Sequence, residues 1–142
     1  MFVLDTNVLS ELMNPRGAVA PLAWTDAASR FGLFTTALNQ AEILYGLAIM
    51  PEGRKRADRI MWADAMFAHE FGGRILPFDE RAAGHYAEIA ATRKRLGRRI
   101  QPVDAQIAAI TRANSMAVVT RDVSDFADCG IEVIDPWTAL KP

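Results

Sequence analysis

Short apolar runs alternate along this chain with longer stretches of helical period, and that alternation predicts β/α units. The runs at residues 2–4, 33–35, 74–76, 116–119 and 132–134 are three or four residues long and mostly apolar, as strands covered on both faces are. Helical stretches lie between them at residues 19–29, 37–50, 53–71, 80–96 and 103–114, and a further helix can start near Asn7. In the stretch 53–71, Ala57, Ile60, Met61, Phe67 and Phe71 recur at largely helical spacing, which marks one face as core, while Arg54, Lys55, Arg56 and Arg59 gather at its start. Asp79 before the stretch 80–96 and Gly97 after it read as N-cap and C-cap, with Arg93, Lys94 and Arg95 in the last turn, where cations suit the helix dipole. Strands separated by helices predict a three-layer α/β/α sandwich with a central parallel sheet and right-handed crossovers. The ligand site of such a sheet lies at the carboxyl ends of its strands.

Composition narrows the picture. A chain of 142 residues, 51% of them apolar, suits one domain over residues 1–142 with a core of its own. Sixteen Lys and Arg against 17 Asp and Glu give a net charge of -1, so an anionic partner has to be gripped locally rather than attracted by bulk charge. The single cysteine, Cys129, excludes an internal disulfide. No apolar run reaches the roughly 18 residues of a membrane span, and the first dozen residues carry Asp5 and no basic leader, so the expected location is the cytoplasm.

Four acids stand out against this pattern. Asp5 ends the first strand, and Asp122 ends "MAVVTRD" in the same way, which puts both on one rim. Glu42 sits inside "ALNQAEILYGLAIM", and Asp104 opens "VDAQIAAI". Each has a plainer explanation. Asp5 fits an N-cap, Asp104 a cap or first-turn acid after Pro102, and Asp122 a turn residue with Asp125 as its competitor. Glu42 resists one, because Leu38, Ala41, Ile43 and Leu44 leave only a narrow polar stripe around it. Asp79 and Asp135 read as caps or turns.

The motifs "LDTNVLSEL", "AEILYGLAIM", "RILPFDERAAGHYAEI", "DAQIAAITRANSMAVVTRDVSDF" and "IEVIDPW" together make the whole chain resemble the PIN-domain ribonucleases, specifically the VapC and FitB type toxins of bacterial toxin-antitoxin pairs. The resemblance implies a metal-dependent endoribonuclease whose acidic quartet falls on Asp5, Glu42, Asp104 and Asp122, with Asn7 and Thr120 as polar supports. Many relatives carry Asn where this chain has Asp122, and in those an acid near Asp125 shares the fourth role. It also implies a cognate antitoxin, a homodimer, and larger complexes that bind operator DNA through the antitoxin.

Electrostatics independently asks for a cation. Two carboxylates about 4 Å apart repel by roughly 4 kcal/mol at an effective dielectric near 20, and four of them make six pairs. Relief comes from protonation or from a divalent ion, and an all-oxygen set without thiolate suits Mg²⁺ or Mn²⁺ rather than zinc. His69 and His85 lie within helical patterns and read as surface or packing residues. For the RNA, "RKRLGRR" at residues 93–99 offers five basic groups, from which Arg98 and Arg99 are expected to contact phosphates, although a solvated helix end explains the run equally. Two rival classes stay open. One is a Mg²⁺-dependent phosphotransfer domain, which wants Asp at the position of Asn7 or a Lys where the chain has Arg121; the other is a PIN-like scaffold that binds RNA or protein without cutting.

Overall fold

A computed structural model describes the chain from Met1 to Pro142. Five parallel strands, β1 (Phe2–Leu4), β2 (Leu33–Thr36), β3 (Ile75–Leu76), β4 (Ala117–Val119) and β5 (Val133–Ile134), form one sheet in the order β3-β2-β1-β4-β5. The chain winds outward from β1 to β2 and β3 on one side, then crosses to β4 and β5 on the other. The order therefore reverses between β1 and β4, and at such a switch point the loops diverge and leave a crevice above the strand ends.

Six helices cover the sheet: α1 (Thr6–Met13), α2 (Val19–Ala28), α3 (Ala37–Ala48), α4 (Arg54–His69), α5 (Glu80–Arg95) and α6 (Pro102–Ala113). Strand residues alternate between two cores, because successive side chains point to opposite faces. Leu4 and Val119 pack with Val8, Trp24, Ile43 and Phe67 of α1 to α4. Val118 packs with Ile89 of α5 and with Ala105, Ile107 and Ile110 of α6. The expected three-layer α/β/α sandwich is the architecture found. No helix is long and apolar enough to cross a membrane.

Element ends differ from expectation by a residue or two, each for a local reason. Arg74 and Glu132 lie outside the strands, yet their carbonyls still accept from Thr35 and Val118 at 3.1 and 2.9 Å. Pro102 opens α6, where its missing N–H costs nothing. The stretch 19–29 is α-helical to Ala28 and then tightens into a 3-10 turn, Ser29–Phe31, before Gly32 turns the chain into β2 at a φ of 88°.

Candidate active site

Register alone brings the first two residues of the site together. Leu4 pairs with Val119, so Asp5 and Thr120 leave β1 and β4 side by side. The Asp5 N–H donates to the Val119 carbonyl at 3.0 Å, and the Thr120 hydroxyl donates to Asp5 Oδ2 at 2.7 Å. Asp5 also caps α1, accepting from the Thr6 N–H at 2.8 Å. On its other flank the amide of Asn39 donates to Oδ1 at 2.8 Å. Asn39 is itself fully buried and accepts from the hydroxyl of Thr36, the N-cap of α3, at 2.6 Å. Burial raises the Asp5 carboxyl above its ordinary pKa, the bonds from Thr120, Thr6 and Asn39 oppose that rise, and repulsion from Asp122 adds to it.

Around this anchor stand the other acids. Asn7 Nδ2 donates to Thr120 Oγ1 at 3.0 Å and to Asp122 Oδ2 at 3.1 Å, while its Oδ1 accepts from the Arg121 N–H at 3.2 Å. One amide thus ties α1 to the loop after β4. Glu42, on α3, accepts from the Thr6 hydroxyl and is open to solvent. Asp104 lies in the first turn of α6, and Asp125 in the 3-10 turn Val123–Phe126 that follows Asp122. The Asp104 carboxyl is pushed up to about 6, first by burial and then by repulsion from Asp125, Asp5, Glu42 and Asp122, in that order. All five acids therefore act on one volume, and Asp125 bears on Asp104 more strongly than Asp122 does. Asp122 is instead the one that Asn7 holds, where it repels Asp5.

No cationic side chain forms an ion pair with these acids. The three ion pairs of the chain use Asp79, Asp128 and Glu88, and the donors to the cluster are all neutral: hydroxyls, amides and backbone N–H groups. Five carboxylates without a counter-charge fit a hard divalent cation. As the side chains stand, no three of them close into a ready cage.

The sequence profile of the PIN domain matches residues 2–130. The chain belongs to the PIN-domain family. It is 40% identical to the VapC ribonuclease Y4jK of Sinorhizobium fredii over 96% of this chain and 98% of that one, and 35% identical to the toxin FitB of Neisseria gonorrhoeae over 96% and 99%. A solved structure of FitAB bound to an IR36 DNA fragment superposes with a TM-score of 0.90 at 35% identity, covering 98% of this chain and 97% of that one.

Within this PIN domain the basic run 93–99 divides. Arg93 is buried, and its guanidinium donates to the carbonyls of Arg98 at 2.7 Å, Asp125 at 2.9 Å and Ala127 at 2.8 Å. Arg98 pairs with Asp128, whereas Arg99 is exposed and unpaired. Arg93, Asn39 and Thr6 are the participants that sequence reasoning passed over. Asn39 left a faint signal, since an Asn is a poor interior helix residue and it stands three positions before Glu42, on the same face. Arg93 left none, because the loop that buries its guanidinium, at Asp125 and Ala127, lies more than thirty residues ahead.

Proposed function

We propose that this PIN domain is a divalent-metal-dependent endoribonuclease and the toxin half of a toxin-antitoxin pair. The observation that carries the reading is the set of five uncompensated carboxylates at the switch point, in a chain so similar to a VapC ribonuclease over nearly its whole length. Asp5, Asp104 and Asp122 are assigned to hold Mg²⁺ or Mn²⁺, with Asp125 beside Asp104 as a further oxygen donor. When bound, the ion supplies charge neutralisation at the phosphate and acidifies water. Asn7, Thr120 and Asn39 fix the carboxylates by hydrogen bonds, the kind of support whose loss typically weakens metal binding 10- to 100-fold. Glu42, exposed and steadied by Thr6, is placed to orient a water and take its proton. Arg99, with Arg98 once released from Asp128, supplies phosphate contacts beside the cluster.

The same reading gives the chain its partners. Its neighbour FitAB is solved bound to a DNA fragment, which supports a cognate antitoxin and an operator-bound assembly here; the reading also assigns the toxin to a homodimer in the cytoplasm. The two cores share one sheet, which supports a single domain over residues 1–142. The test is RNA cleavage with added Mg²⁺ or Mn²⁺ by the wild type and by Asp5→Asn and Asp104→Asn. Loss of at least about 100-fold in both variants is expected, with 5′-phosphate and 3′-hydroxyl ends from the wild type. Full activity in both variants, or a 2′,3′-cyclic phosphate on the product, overturns the proposal.

A further inference from the structure

One group of free positive charges lies away from the acidic crevice. Arg16, from the loop between α1 and α2, and Arg54, Lys55 and Arg59, from the first turns of α4, line one cleft of ≈ 760 Å³ with Asp58 and the half-buried Trp62. Four cations face a single acid there, in a chain whose net charge is -1. Arg16, Arg54 and Lys55 are exposed, and their side chains make no hydrogen bond or ion pair within the chain. Helix electrostatics does not explain the cluster. Cations at the end of α5 suit the dipole, but those opening α4 oppose it, with no acid in that turn to offset them. Like charges held together against a helix field, around an aromatic face, are the arrangement that grips a nucleic-acid backbone and stacks a base.

We infer that this cleft is a phosphate-binding anchor for single-stranded RNA, remote from the cutting site. The inference rests on the ribonuclease reading for its substrate. α1 connects the two places, with Asp5 at its start and Arg16 three residues beyond its end, so the cleft opens roughly 12 Å of helix away from the acids. An acidic crevice repels the strand that it must cut, and an anchor several nucleotides away holds the strand in place without placing cations among the metal ligands. Guanidinium groups and an indole favour RNA over an acidic protein segment, which offers charge but no bases to stack.

Binding of an oligouridylate of about twelve nucleotides is to be followed by tryptophan fluorescence in EDTA, so that no cleavage intervenes, over a range of KCl. Three lost contacts at about 0.7 each should lower the slope of log K against log salt by about 2 in Arg16→Ala/Arg54→Ala/Lys55→Ala, with affinity down at least about tenfold. Trp62→Phe should remove most of the fluorescence change. A triple variant with equal charge removed elsewhere, Arg30→Ala/Arg74→Ala/Lys141→Ala, should keep the wild-type slope, and an unchanged melting temperature in both triples excludes misfolding. The same slope in wild type and cleft variant, equal losses in both triples, or tighter binding of a polyglutamate peptide than of RNA overturns the inference. A wild type that binds with the expected slope yet cuts no RNA overturns the nuclease reading and supports the anchor.

Discussion

Asp5 is a helix cap and a site residue at once. The two explanations that its sequence context leaves open are compatible, because one oxygen accepts from Thr6 and Asn39 while the other faces Thr120 and Asn7. Asn39→Ala removes a buried donor and leaves the Thr36 hydroxyl and Asp5 short of partners. It should cost about 1–3 kcal/mol in urea unfolding, and a change under a few tenths would show that Asn39 is dispensable. Asp104 gives the sharper test. Its carboxyl titrates near 6 when folded against about 3.9 unfolded, so the metal-free native state binds the proton more tightly. Stability from that proton is fully present below about pH 4 and is lost as pH rises through 6. The melting temperature of metal-free wild type should therefore fall relative to Asp104→Asn between pH 4 and pH 6. Parallel curves for the two proteins would contradict the repulsion described.

Elements made the fold readable, while side-chain burial within them was harder to read. Strand and helix order, the caps of α5 and the positions of Asp5 and Asp104 on their elements followed from local pattern, because period, caps and Pro act over a few residues, whereas β4 stops at Val119 and leaves Asp122 in the turn beyond it rather than at the strand end. Glu42 shows the limit. Its apolar neighbours suggested a narrow polar stripe, yet Ala41 and Leu44 are exposed as well, since α3 leaves that face uncovered. Arg93 shows the opposite error, a cation assigned to solvent that lies in the interior. α5 ends in a Schellman turn, with Arg98 N–H on the Arg93 carbonyl at 2.9 Å and Gly97 N–H on Lys94 at 3.1 Å, and the Arg93 guanidinium then clamps that turn to the Asp125 loop. Arg93→Met should lower stability by about 1.5–3 kcal/mol, and Arg93→Lys should not restore it, because one ammonium does not reproduce a planar fork spanning three carbonyls. Arg95→Ala, changed in the same exposed turn, should stay within about 0.5 kcal/mol. Equal melting temperatures for the Arg93 and Arg95 variants would remove the clamp.

At the scale of the whole molecule, the reversal of strand order between β1 and β4 gathers acids from four separate segments of the chain, and no ion pair within the fold balances them. A bound divalent ion should therefore stabilise the protein by mass action and displace the proton that Asp104 holds. The decisive measurement is calorimetric titration of Mn²⁺ into the metal-free protein at pH 6, in buffers of different ionisation enthalpy. Wild type should bind the ion and release roughly half a proton from Asp104, and Asp104→Asn should lose both the proton release and most of the affinity. Wild type that takes up no Mn²⁺, or a variant that binds it equally well, would contradict a metal centre built on these carboxylates.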